Sequence, residues 1–122
     1  MKAIDSSAFV ASVLGETGWE RAKADIDVGI MSLVNVAETV SVLMRKGLSY
    51  ADAVEAIEKS EMKFHVPNLN DSYEAAQIVQ TPGLSLGDSF CLALAKSLNT
   101  AAVTADRMWA ELNLDVAVEL IR

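Results

Sequence analysis

The sequence has one cysteine, one histidine and two prolines in 122 residues, and each scarcity removes a class of explanation. One thiol cannot close an internal disulfide, and Cys91, set in the apolar run Phe90 to Ala95, reads as a small core residue and not as a nucleophile. His65 has no other His or Cys beside it, which leaves little basis for a metal or catalytic role. No stretch is Pro-rich, Ser-rich or of one charge sign, and none repeats. Residues 1–122 therefore read as a single domain, long enough to bury a full core without disulfides. The first apolar run, Ala3-Ile4, is broken at once by Asp5, which argues against a secretory signal. No later run approaches the ~20 residues of a membrane span. A soluble, cytoplasmic protein is expected.

Basic stripes are missing as well. The ten Lys and Arg are scattered through a chain of net charge −7, where phosphate binding ordinarily relies on clustered cations. That objection weakens if several acids share one site, because divalent cations there would reverse the local sign. Charge neither requires nor excludes an RNA substrate, and it favours a basic partner segment.

What is present is a regular alternation of strands and helices. Lys2 to Ile4, Val28 to Met31, Lys63 to Val66, Ala101 to Thr104 and Val116 to Ile121 read as five short strands. Helical periodicity fills the intervals, beginning with Ala8 to Leu14 and a short helix from Trp19 to about Ile26. Ser32 caps a helix from Leu33 to Lys46, which Gly47 ends. Ser49-x-x-Asp52 opens another as a capping box, with Ala53, Val54, Ala56 and Ile57 inward and Glu55, Glu58, Lys59 and Glu61 outward. Asn70 to Val79 is expected to turn Tyr73, Ala76 and Ile78 to the core. This order implies a three-layer α/β/α fold around a parallel five-stranded sheet. With the order 3-2-1-4-5, strands one and four flank the crevice at which such sheets bind ligands.

Four acids stand at places that need a reason. Asp5 and Asp106 follow strands one and four directly, where Asp is also a favoured helix cap. Asp88, in Gly83-Leu84-Ser85-Leu86-Gly87-Asp88, heads the core face shared by Cys91, Leu92 and Ala95, and Ser85 three residues earlier makes it a capping-box candidate. Glu38 lies on a stripe with Val34 and Val42, with no cap and no basic residue four positions away to explain it. If the four converge, repulsion forbids simple coexistence: two like charges ~4 Å apart cost about 4 kcal/mol at an effective dielectric of 20. They must take up protons or bind a cation, and oxygen-only ligands suit Mg²⁺ or Mn²⁺. Such ions generate a nucleophilic hydroxide and screen a phosphate, which matches phosphodiester hydrolysis.

Four segments together carry a family resemblance: Ile4-Asp5-Ser6-Ser7, Met31-Ser32-Leu33-Val34-Asn35-Val36-Ala37-Glu38, Leu84-Ser85-Leu86-Gly87-Asp88 and Thr104-Ala105-Asp106-Arg107-x-Trp109. The chain resembles a PIN domain of the VapC-type toxin branch over essentially its whole length. The resemblance implies a Mg²⁺- or Mn²⁺-dependent endoribonuclease with Asp5, Glu38, Asp88 and Asp106 as catalytic, metal-binding acids and Ser7 and Thr104 lining the site. It further implies an RNA substrate, a homodimer and a cognate antitoxin. Similar proteins often carry a basic residue where this chain has Pro82, so Arg107 is expected to be the cation nearest the RNA. Trp109 is expected to pack and not to stack on a base.

Other nucleotide and phosphate chemistries lack their residues. The first strand-to-helix turn has neither the glycines of a dinucleotide fingerprint nor the Gly and Lys of a phosphate loop. A phosphoacceptor receiver domain would need an acidic pair after strand one and a Lys near the last strand, where Ser6, Ser7 and Glu119 stand. An Asp-x-Asp phosphatase fails at Ser7. The remaining rival is a catalytically silent scaffold of the same fold that holds a protein partner in its acidic groove.

Overall fold

The computed structural model describes all 122 residues. Five parallel strands, β1 (Ala3–Ile4), β2 (Ile30–Ser32), β3 (Lys63–His65), β4 (Ala102–Thr104) and β5 (Val118–Leu120), form one sheet in the order β3-β2-β1-β4-β5. Six helices connect them: α1 (Ser6–Leu14), α2 (Trp19–Ile26), α3 (Leu33–Arg45), α4 (Tyr50–Lys59), α5 (Leu69–Ile78) and α6 (Leu86–Ser97). A 3-10 helix, Arg107–Glu111, lies between β4 and β5. No helix is long and apolar enough to cross a membrane.

The three central strands β2, β1 and β4 are buried, and their two-residue period sorts side chains between two cores. Ile4, Met31 and Val103 point to one side, where Phe9, Ala22, Ile26 and Ile57 from α1, α2 and α4 meet them. Ala3, Ile30 and Ala102 point to the other, against Cys91, Leu92, Leu94 and Ala95 of α6 and the fully buried Trp109. Cys91 and Trp109 are thus packing residues. Burial first, then the charges of Asp5, Asp88 and Glu38, hold the Cys91 thiol pKa well above its ordinary value, so this thiol has no thiolate character to use.

Helix phase departs from expectation in two places. Tyr73 is 61% exposed and Ala76 faces solvent, because α5 starts in a capping box between Asn68 and Asp71. That start puts Asp71 and Ala75 on the buried face with Ile78 behind them. In α3 the fully buried stripe is Asn35, Thr39 and Leu43, one position beyond the half-buried Val34, Glu38 and Val42. Polar residues occupy that stripe because their donors find acceptors. Thr39 donates to the Asn35 carbonyl at 2.7 Å, and the Asn35 amide has two acceptors described below. The box expected at Ser49 is half formed: its hydroxyl accepts from Asp52 N–H, with no return bond.

Strand order reverses between β1 and β4, whose register pairs Ala3 with Ala102 and Ile4 with Val103. Asp5 N–H donates to Val103 O at 2.9 Å, which fixes the residue after β1 at the carboxyl edge of the sheet beside β4. That is the edge at which open parallel sheets hold their ligands.

Candidate active site

Asp5 begins α1 as its N-cap residue but makes no side-chain capping bond. Its carboxylate turns instead to β4. Oδ2 accepts from Ser7 Oγ at 2.6 Å and from Thr104 Oγ1 at 2.8 Å. An ionised carboxylate only accepts, so both hydroxyls donate to it, while Ala105 N–H donates to Ser7 Oγ and Asp106 N–H to Thr104 Oγ1. Oδ1 is buried without a partner. Burial raises the Asp5 pKa to about 6; the two hydroxyls pull it back, and Asp88 and Glu38 add like-charge repulsion. The capping explanation for Asp5 therefore does not hold, and its acid lies within electrostatic range of two others.

Glu38 is held by groups that the sequence did not advertise. Its Oε1 accepts from Asn35 Nδ2 at 2.8 Å and from Ser6 Oγ at 3.3 Å. The same Asn35 amide donates to Gly87 O at 2.9 Å, which ties α3 to the first turn of α6. Asn35 is completely buried, and its Oδ1 has no partner. Gly87 leaves the space that the Glu38 carboxylate fills; a Cβ there would overlap it. Asn35 lies one helical turn before Glu38, a spacing that puts both on neighbouring faces, but period alone does not say which buried polar residue finds partners.

Asp88 and Asp106 do form caps. Asp88 Oδ2 accepts from Ser85 N–H at 2.9 Å in a complete capping box, and Asp106 Oδ1 accepts from Met108 N–H at 3.0 Å. Asp106 joins the Asp5 network through its backbone bond to Thr104. Arg107, next in the chain, is exposed. As the side chains stand, no three acidic, histidine or cysteine groups are drawn tightly enough together to hold a metal ion. The His65 ring lies elsewhere, bonded through Nε2 to Asp71 Oδ2 at 2.7 Å.

One regularity runs through all four acids. Each carboxylate has one oxygen engaged by protein donors: Asp5 Oδ2, Glu38 Oε1, Asp88 Oδ2 and Asp106 Oδ1. The other oxygen of each has no hydrogen-bond partner in the protein. Anchoring one oxygen fixes the side chain and leaves the second open, as supporting bonds do where they orient a ligand group. Cap and ligand are thus compatible roles for one carboxylate.

These features have relatives. The chain belongs to the PIN domain family, whose family model matches residues 2–114. Among solved structures it is similar to VapC20 of Mycobacterium tuberculosis, a sarcin-ricin loop cleaving toxin, with a TM-score of 0.72 at 15% identity over 91% of this chain and 94% of that one. At that identity the likeness concerns the fold. No curated protein matches the sequence.

Proposed function

We propose that this PIN domain is a metal-dependent endoribonuclease, the toxin of a VapBC-like toxin-antitoxin pair. The observation that carries the reading is the set of free oxygens on Asp5, Glu38, Asp88 and Asp106, each beside an anchored one. The buried, unpartnered Asp5 Oδ1 fits a cation better than it fits an apolar wall, since an orphaned buried oxygen costs about 1–3 kcal/mol. An all-oxygen donor set suits Mg²⁺ or Mn²⁺. When bound, such an ion supplies an activated water and charge neutralisation for a phosphodiester. The chain's own residues do the rest. Ser7 and Thr104 keep Asp5 ionised by donating to it, Asn35 and Ser6 orient Glu38, and Arg107 offers a cation to the RNA backbone beside Asp106.

Partners follow the same reading. A second copy and an antitoxin both need surface, and Phe64, Val66, Leu69 and Tyr73, exposed from β3 into α5, provide apolar area for a homodimer. The acidic groove suits a basic antitoxin segment.

Incubating the protein with structured RNA and Mn²⁺ tests the activity directly. Cleavage by the native chain that Glu38→Gln removes is expected. A native chain that cleaves nothing over a wide range of RNAs, and whose melting temperature ignores Mn²⁺, would instead favour the silent scaffold. Asn35→Ala is expected to raise the Mn²⁺ concentration for half-maximal cleavage about 10–100-fold, the range for residues that orient metal ligands. Thr39→Ala, which removes the neighbouring buried hydroxyl without touching Glu38, should leave that concentration unchanged.

A further inference from the structure

A groove that starts beside the acids ends at two cations. It begins at Ser6 and Ser7, the two hydroxyls that hold Glu38 and Asp5, and runs between α1 and α3 past Val10 and Val42 to Glu16, Lys46 and Arg122, enclosing about 180 Å³. Space on that scale holds on the order of ten waters, which a phosphodiester can displace. Its only lining acid, Glu16, is shared by two cations, with Lys46 Nζ at 2.9 Å and Arg122 Nη1 at 3.7 Å. The other Lys and Arg ion pairs are balanced: Lys2 and Arg21 face Asp25 and Glu119, while Lys23, Lys59 and Lys96 each have one partner. Lys46 and Arg122 thus stand together at the far end of the groove and share a single side-chain carboxylate.

We infer that this groove is a phosphate-binding subsite for the RNA backbone, with Lys46 and Arg122 gripping a phosphate that flanks the scissile one and Glu16 holding both side chains in place until RNA arrives. The inference rests on the ribonuclease reading and adds the direction in which the strand leaves the site: along α1, away from Arg107. Lys46 contributes a point charge and Arg122 a planar fork suited to phosphate oxygens. Arg122 Nη1 also donates to Thr17 O at 2.9 Å, which orients the guanidinium before RNA binds. Glu16 competes with phosphate for both cations, so removing its charge favours RNA.

The test measures binding of a fluorescein-labelled single-stranded RNA to the full chain carrying Glu38→Gln, with Mn²⁺ present, over a range of KCl concentrations. Each phosphate contact on single-stranded nucleic acid contributes about 0.7 to the slope of log affinity against log salt. Lys46→Ala and Arg122→Ala are each expected to flatten the slope by about 0.7 and the double variant by about twice that. Glu16→Gln is expected to tighten binding several-fold, a gain that misfolding cannot mimic. Lys59→Ala, on the exposed face of α4, is expected to leave the slope unchanged. An unchanged slope in the Lys46→Ala/Arg122→Ala protein, or weaker binding by Glu16→Gln, would overturn the inference. Cleavage of the same RNA by the native chain reports separately on the ribonuclease reading: cleavage with an unchanged slope defeats the groove alone. Altered slopes without any cleavage keep the groove as an RNA grip and defeat the nuclease.

Discussion

Asp5→Asn is expected to raise the melting temperature of the metal-free protein at neutral pH while lowering RNA cleavage at least about 10³-fold. Both effects come from one buried charge. Asp5 is 3% exposed, and burial, followed in size by the opposing hydroxyl bonds and the like charges of Asp88 and Glu38, lifts its pKa from 3.8 to about 6. A folded-state pKa above the unfolded one means that the folded protein binds the proton more tightly. The contribution of Asp5 is therefore fully present below pH ~4, is lost as pH rises toward 6, and stays lost above it. About two pKa units correspond to roughly 3 kcal/mol.

An amide carries no charge to desolvate, and its oxygen can still accept from Ser7 and Thr104. Its NH₂ falls where Oδ1 lacked a partner, which takes back about 1 kcal/mol. The net gain of about 2 kcal/mol corresponds to on the order of 5–10 °C for a chain of this size. Melting curves of both proteins from pH 4 to pH 8 isolate Asp5, because Asp71 and Glu119, whose pKa values are lowered, cancel in the difference. The gap should close at pH 4. A variant that melts no higher than the native protein at pH 8 would show that Asp5 is better solvated than its surroundings indicate. Added Mn²⁺ should stabilise the native protein alone, by about 2.7 kcal/mol at a hundred times its dissociation constant. The loss of cleavage is what the proposed role of Asp5 as a metal ligand requires, at about 1.4 kcal/mol per factor of ten.

Period and punctuation made most of the scaffold readable. Short apolar runs separated by helical periods specify parallel strands with helical crossovers, and Asp5 and Asp106, each just past a strand, mark the carboxyl edge. Finer placement failed where polar groups set the phase. The helix read over Asn70 to Val79 turns Tyr73 and Ala76 inward, but the Asn68-Asp71 box sets α5 so that an acid and Ala75 take the core face. Asp71 tolerates this position because His65 and Asn68 N–H bond its carboxylate. Asn35 was passed over for a similar reason. A buried amide is recognisable only once its acceptors are known, and one of them, Gly87 O, lies 52 residues away in sequence. The acids themselves invited a choice between cap and ligand that a carboxylate with two oxygens need not make.

Gly87→Ala is expected to be among the most damaging small substitutions in the protein, against what helix propensity alone would forecast. Gly87 lies in the first turn of α6 with ordinary helical φ, where Ala should add about 0.5–1 kcal/mol of stability. Packing reverses the sign. The added methyl would occupy the volume of the Glu38 carboxylate, and one side has to yield. Overpacking of this kind costs about 1–3 kcal/mol, and the group displaced is an acid held by Asn35 and Ser6. Cleavage should fall about 10²-fold or more, since a displacement of ~1 Å at a reacting centre is enough for that. Stability should fall by about 1–2 kcal/mol net. The cause is separable through Glu38→Ala, which empties the contested volume. If Gly87→Ala harms the protein by displacing that carboxylate, the double variant Gly87→Ala/Glu38→Ala should melt above Glu38→Ala, because only the helix gain then remains. The interaction energy of this cycle should exceed ~1 kcal/mol. A cycle that closes additively would mean that the α6 first turn shifts freely and that Gly87 does not fix the position of Glu38.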